Sequence, residues 1–207
     1  MKVMTGEMTT VAKAASAEFT EKRSVFIGHT ASVADVAAAE DFIASVKKKY
    51  SDARHNVWAY LLRDGSMRYS DDGEPQGTGG VPVLEVLKKS GLCNVAVVVT
   101  RYFGGILLGA GGLVRAYSAS AKLALDAAVV KECKPFVLFG ITCGYGEYQK
   151  LGRLFELNGV KNAETEYGEG VCVTACCPEE RYDALCVAVR DVTGGKAMPE
   201  RKDVVYA

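Results

Sequence analysis

A near-continuously apolar segment, residues 94–103, runs directly into a glycine-rich stretch, residues 104–112. An apolar run of this kind, without alternation of polar and apolar positions, is typical of a strand that is buried on both faces. The residues that follow, from about Leu113 to Ala128, are rich in Ala and Ser, which favours a helix that packs closely on a sheet. The sequence therefore predicts a buried strand, a loop and a packed helix in direct succession.

Turn signals and hydrophobic spacing predict further elements before this unit. The polar segment 19–23 is interpreted as leading into the first strand, and Asp35 is the predicted N-cap of the first helix. Residues 63–66 form a predicted hairpin turn, and the acidic, glycine-containing segment 71–80 is predicted to be a loop. The predicted strands are residues 25–29, 55–62 and 67–70, and the second helix begins near Pro82 and ends at Gly91.

The composition changes after Lys131, and a new pattern of elements follows. The order is strand, helix, strand, strand, helix, strand, which is the ferredoxin-like βαββαβ pattern. We therefore expect two domains, residues 1–132 and residues 133–207. The predicted segments of the second domain are residues 136–145, 148–157, 160–167, 171–176, 178–192 and 204–206.

Composition and charge exclude several classes of protein. Of the 207 residues, 49% are hydrophobic and 24% are charged, an ordinary globular mixture rather than a disordered or fibrous one. The 25 basic residues balance the 25 acidic ones, so the chain is not a strongly basic module that coats nucleic acid non-specifically. There is no apolar run of transmembrane length, and the first 20 residues lack the apolar block of a secretory signal. We expect a cytoplasmic protein with no membrane association.

The seven cysteines have an odd count and include no Cys-x-x-Cys pair, so they do not show the spacing of a metal site. We interpret them as reduced, buried thiols that act as small hydrophobic residues. The sequence assigns no resident metal and no cofactor. The seven are Cys93, Cys133, Cys143, Cys172, Cys176, Cys177 and Cys186.

The strongest candidate for a binding site surrounds the glycine-rich loop. Arg101 stands at the carboxyl end of the buried strand, and the loop leads into a helix N-terminus, which is a natural anion site. Arg115, one turn into the helix, would add a second cation with forked donors suited to phosphate. Tyr102 and Phe103 could stack on a base. The loop glycines of this candidate site for nucleic acid or phosphate are Gly104, Gly105, Gly109, Gly111 and Gly112.

A structural interpretation of the same stretch stays open. The glycines could simply let helix and sheet approach closely, with Arg101 in a structural ion pair. The loop also lacks the GxGxxG and GxxxxGK[ST] fingerprints of nucleotide-binding proteins.

A second candidate is a polar cluster that would support the first. The three carboxylates of Asp71, Asp72 and Glu74 could hold Mg²⁺, pair with Arg101 or Arg115, or form an acidic turn. His55 could act as a general base, but no Ser or Cys nucleophile accompanies it, which favours a structural histidine. No residue is predicted to be catalytic.

Together these motifs resemble the Impact/YigZ family over residues 18–130. The resemblance implies an α/β sandwich like the second domain of a small-subunit ribosomal protein. It also implies a ferredoxin-like second domain similar to the last domain of the translocation elongation factor, and therefore an α+β fold overall. The segments that carry it are residues 52–56, 58–60, 71–75, 77–78, 97–105, 108–109 and 111–117.

Three functions are compatible with these patterns. The first is a non-enzymatic protein that binds RNA or the ribosome through the groove around Arg101 and Arg115. Eukaryotic relatives regulate translation, and both folds recur in RNA-binding proteins, which links this hypothesis to translation regulation. The second is a Mg²⁺-dependent enzyme acting on a phosphorylated small molecule. The third is a protein-interaction module that uses the ferredoxin-like sheet. We favour the first.

Overall fold

The structure is a computed structural model that describes residues 6–206. Its contacts divide them into two units, one of residues 8–132 and one of residues 6–7 and 133–206. Each unit has a buried hydrophobic core of its own. Among the described residues, no helix combines the length and the apolar character needed to cross a bilayer.

The first unit is built on a five-stranded sheet with the strand order β2-β3-β6-β4-β5, in which neighbouring strands are antiparallel. Strands β1 and β7 pair in a separate two-stranded sheet. The elements are β1 (Met8–Lys13), β2 (Ala15–Glu21), β3 (Ser24–Ser32), α1 (Val36–Lys49), β4 (His55–Leu61), β5 (Met67–Ser70), α2 (Gly80–Ser90), β6 (Val95–Tyr102), α3 (Ala110–Asp126) and β7 (Val129–Cys133).

The central strand β6 is buried on both faces, as its apolar sequence predicted. Val97 and Val99 point to one face, where they share a hydrophobic cluster with residues of α2 and α3. Ala96 and Val98 point to the other face and pack with α1. Because side chains alternate along a strand, Arg101 lies on the same face as Val99 and is directed towards α3.

Local signals set the ends of the helices. The Asp35 carboxylate accepts a hydrogen bond from the Ala38 N–H at 2.8 Å and caps α1 as predicted. Gly91 ends α2 in a left-handed conformation with φ of 74°. Helix α3 begins at Ala110, earlier than the predicted start near Leu113, because Gly109 serves as its N-cap with φ of 72°.

The second unit confirms the predicted ferredoxin-like fold. Its four-stranded sheet has the order β11-β8-β10-β9, all antiparallel, so the first and third strands lie in the middle. One face of the sheet packs with α4 and α5 around Phe139, Leu151 and Leu185. The elements are β8 (Pro135–Cys143), α4 (Tyr145–Leu157), β9 (Lys161–Tyr167), β10 (Val171–Pro178), α5 (Glu179–Thr193) and β11 (Glu200–Tyr206).

Two sequence-based predictions need correction. The polar segment 19–23 is largely strand, because β2 is an edge strand whose alternate residues face solvent. The cysteines are all free, but Cys172 is exposed on β10, since its neighbours Val171 and Val173 occupy the core-facing positions. Strands β1 and β7 were not predicted.

Candidate nucleic-acid and phosphate site

Arg101 lies in a buried ion pair. Its Nη1 donates to Oε1 of Glu74 at 2.6 Å, and the two side chains are 7% and 3% exposed. The Tyr117 hydroxyl donates to the same oxygen at 2.8 Å. Burial, and then the negative charge of Glu74, raise the pKa of Tyr117 above its usual value, so the hydroxyl keeps its proton and remains a donor. Of the two interpretations of Arg101, the structure shows the ion pair.

Two aromatic rings enclose the same guanidinium. The Arg101 Cζ atom is 5.5 Å from the centroid of Phe26 and 5.6 Å from that of Phe103. Phe26 is fully buried, whereas Phe103 is 49% exposed. Tyr102, on the opposite face of β6, donates its hydroxyl to Asp52 at 2.9 Å. Burial, and then this hydrogen bond, raise the pKa of Tyr102.

The three carboxylates of the acidic loop have different partners. Asp71 accepts from the backbone N–H groups of Gly77, Gly79 and Gly80 at 2.8–3.0 Å, which orders the loop and caps α2. Asp72 accepts from Lys47 Nζ at 2.6 Å and from the Asn56 N–H at 2.7 Å.

The hydrogen bonds of the three carboxylates do not form the ligand set that the Mg²⁺ interpretation requires. The third carboxylate, Glu74, accepts hydrogen bonds from Arg101 and Tyr117. Within residues 6–206, no group of three His, Cys, Asp or Glu side chains is arranged to hold a metal ion. The arrangement is that of a loop held in place by its own acidic side chains.

His55, the first residue of β4, contacts the same acidic loop. Its Nδ1 atom lies 2.8 Å from the carbonyl oxygen of Asp72, so Nδ1 carries the hydrogen and donates. Gly73 adopts φ of 85°, and a Cβ there would lie 3.5 Å from the imidazole. His55 therefore makes a structural contact with the loop through Nδ1, and this contact leaves Nε2 as the acceptor atom of the ring.

The glycine-rich loop lies against the turn between β2 and β3. A Cβ on Gly104 would lie 2.0 Å from the carbonyl of Arg23, so only glycine allows this approach. The Gly104 N–H donates to Ser24 Oγ at 3.2 Å. Lys22 and Arg23, at the tip of the turn, have φ of 45° and 66°, both left-handed. The close approach therefore brings two cationic residues beside the loop.

The N-terminus of α3 is open to an anion. Gly109 has no side chain that could accept hydrogen bonds from the first-turn N–H groups, which leaves the positive end of the helix dipole uncapped. The Arg115 side chain folds back over this turn. Its Nη1 atom lies 3.7 Å from the position that a Cβ on Gly111 would occupy. A Cβ on Gly105 would meet no atom within 4 Å.

We call the surface between β2 and α3 the basic cleft. It has a volume of about 240 Å³ and is lined by Phe19, Glu21, Lys22, Leu108, Gly112, Arg115, Ala116 and Ala119. Lys22 and Arg115 are exposed, and within residues 6–206 neither forms an ion pair. Glu21 contributes a single carboxylate to the lining.

The structure thus separates the residues that the sequence grouped. Arg115 and Gly112 line the basic cleft, whereas Arg101 is buried against Glu74. Sequence reasoning missed Lys22 and Glu21, which lie about ninety positions from α3 in the chain. The signal for them was a two-residue turn of Lys and Arg, which is unusual in a left-handed turn.

Comparison with known proteins places the chain in a family. The family model for the Impact N-terminal domain matches residues 22–125, and the model for a domain of unknown function, DUF1949, matches residues 141–196. The IMPACT family member YvyE of Bacillus subtilis is 36% identical over 199 residues, which cover 95% of this chain and 92% of YvyE. The chain belongs to the IMPACT family.

Two further comparisons agree with this membership. The IMPACT family member YigZ of Escherichia coli is 34% identical over 84% of this chain and 87% of YigZ. A solved structure described as the crystal structure of a hypothetical protein matches with a TM-score of 0.78 and 29% identity, over 97% of this chain and 99% of that one. In this IMPACT family member, the acidic loop and most of the basic cleft lie within the region matched by the N-terminal model, while Phe19 and Glu21 of the cleft precede it.

Proposed function

We propose that this IMPACT family member is a non-enzymatic binding protein that contacts RNA, free or within the ribosome, and acts in translation regulation. The observation that carries the proposal is the basic cleft, where Arg115 and Lys22 lie beside the uncapped N-terminus of α3. Backbone N–H groups, the guanidinium of Arg115 and the ammonium of Lys22 are donors of the kind that bind phosphate in nucleic acids, and the helix dipole favours the same negative charge.

The chemistry of the neighbouring residues supports binding rather than catalysis. The carboxylates of Asp71, Asp72 and Glu74 are hydrogen-bonded to groups of the same chain. The link to translation is supported by the family membership, which implies domains similar to parts of the ribosome and of an elongation factor.

The small number of cations limits the expected affinity. Lys22 and Arg115 line the cleft, and Arg23 is the other residue at the tip of the adjoining turn. If each neutralises one phosphate of a single strand, the logarithm of the binding constant falls with the logarithm of salt concentration with a slope of about −2. Glu21 opposes phosphate from within the same cleft.

The test is fluorescence anisotropy with a labelled 12-nucleotide RNA at low and moderate salt. We expect Arg115→Gln to weaken binding about tenfold, since a charge-assisted hydrogen bond is lost. We expect Glu21→Gln to strengthen it several-fold, because a repulsive charge is removed.

The matched control is Lys122→Gln, which removes the same charge from the same helix. Lys122 is already paired with Asp126 at 2.8 Å, so its variant should bind RNA like the wild type. Absence of binding at micromolar protein, or equal losses in the Arg115 and Lys122 variants, would contradict the proposal. Co-sedimentation with ribosomes at the same two salt concentrations tests the ribosomal form of the partner.

A further inference from the structure

The exposed ring of Phe103, the residue that follows β6, packs on a buried cation. One side of the ring faces the Arg101 guanidinium at 5.6 Å. The guanidinium is itself held by its ion pair with the buried Glu74 and by its contact with Phe26. The ring is nearly half exposed, at 49%, and a ring that already packs on a neighbouring side chain has less rotamer freedom to lose on binding.

Phe103 is also close in the sequence to a residue that contacts the turn beside the basic cleft. The next residue, Gly104, contacts the backbone of Arg23, and Lys22 at the same turn lines the cleft. Tyr102 does not share this position, since its hydroxyl is bonded to Asp52 on the opposite face of β6. The ring therefore belongs to the residue directly before the glycine that contacts the cationic turn.

We propose that Phe103 is a stacking platform for one base and that the cleft consequently binds single-stranded RNA in preference to duplex. This inference rests on the proposed function and specifies its ligand. A base can stack on a protein ring only when it is unpaired or splayed out of a helix, whereas phosphates are available in both forms. The modest cationic charge of the cleft also fits a single strand better than a duplex surface.

The experiment uses three RNAs with the same labelled 12-nucleotide backbone. One is a single strand without self-complementarity, one is its duplex, and one carries abasic positions in place of several bases. We expect the wild type to bind the single strand at least tenfold more tightly than the duplex. We expect Phe103→Leu to lose about tenfold on the single strand and nothing on the abasic strand.

Two further variants separate stacking from folding. Tyr69→Leu removes an aromatic ring of nearly the same exposure, 47%, from β5 at the other edge of the sheet, and should bind like the wild type. Phe103→Trp should retain the affinity, and its new indole fluorescence should be quenched by the single strand but not by the abasic strand. Thermal unfolding checks that each variant is folded.

The outcomes distinguish this inference from the proposed function. Equal affinity for duplex and single strand, or an equal loss by Phe103→Leu on the abasic strand, overturns the stacking platform while leaving the phosphate site intact. Failure of all three RNAs to bind overturns both the stacking platform and the phosphate site.

Discussion

At the scale of single residues, the Arg101–Glu74 pair is the most consequential contact of the first unit. Both groups are almost fully removed from water, and the pair connects β6 with the acidic loop and, through Tyr117, with α3. A buried pair contributes little net free energy relative to apolar residues, but a single charge left behind is strongly destabilising. The pair therefore acts on the fold, and only through the fold on the site.

Arg101→Ala should lower the free energy of unfolding by about 3–5 kcal/mol, because Glu74 stays buried without its partner. Urea denaturation measures this value. The exposed pair of Arg68 and Glu40, at 65% and 58% side-chain exposure, provides the control, and Arg68→Ala should cost under about 1 kcal/mol. Equal effects of the two substitutions would show that the Arg101 pair is not the structural contact described here.

His29 gives the first unit a pH dependence. It is buried on β3 beside the Tyr50 ring at 4.8 Å, and burial, with a smaller contribution from Lys49, lowers its pKa from 6.5 to about 4. The unfolded chain therefore binds this proton first as the pH falls. The stability that the neutral imidazole confers is complete above pH 6.5, is lost between pH 6.5 and 4, and is constant below pH 4.

The loss should reach about 3 kcal/mol across that range, from the cost of one pKa unit. Urea midpoints of the wild type and of His29→Gln, measured from pH 4 to 7.5, test this. The two proteins should converge in stability as the pH falls, and parallel curves would rule out His29 as the titrating group.

Part of the site could be predicted from residues alone. The strand that places Arg101, the helix that carries Arg115 and the acidic loop follow from local patterns, and pairing of the acidic loop with Arg101 was among the alternatives. The cleft itself could not be predicted. Its opposite wall, with Lys22 and Glu21, depends on which edge strand packs beside α3, and no local sequence pattern encodes that pairing.

At the scale of elements, the contact between the glycine-rich loop and the β2–β3 turn decides the shape of the cleft. Gly104 lies so close to Arg23 that any side chain would overlap the backbone of the turn. The two left-handed residues at the tip add conformational cost of their own, which the surrounding contacts must offset.

Gly104→Ala should therefore destabilise the first unit by at least about 2 kcal/mol or displace the turn that carries Lys22. Thermal unfolding and RNA affinity measure the two effects. Gly111→Ala is the stability control, since its Cβ would meet its nearest atom at 3.7 Å and alanine favours a helix. An unchanged melting temperature together with unchanged RNA affinity for Gly104→Ala would contradict the close approach.

The elements predicted well are those with a strong period. Strand β6, helix α1 and the six elements of the second unit follow from apolar spacing and turn residues. The elements missed are β1, β2 and β7, which lie at an edge or in a two-stranded ribbon. Such strands bury few side chains, so their sequences carry little alternation for periodicity to detect.

At the scale of the whole molecule, two units with separate cores should respond separately to a core mutation. Leu185→Ala, at a fully buried position of α5, should destabilise the second unit by about 2–5 kcal/mol. Hydrogen exchange should accelerate in β8 and β10 and remain unchanged in β6, whose hydrogen bonds are made within the first sheet. Equal acceleration in β6 would show that the chain unfolds as one cooperative unit.

The strand order of the first sheet also has a consequence for synthesis on the ribosome. Residues 15–70 supply β2, β3, β4 and β5, but β3 and β4 become neighbours of a common strand only through β6. Until residues 95–102 emerge from the exit tunnel, the nascent chain holds two unconnected hairpins, each marginally stable by itself. A pause in translation before that point leaves strand edges open to pairing with other nascent chains, so β6 is the strand whose emergence allows the five-stranded sheet to form.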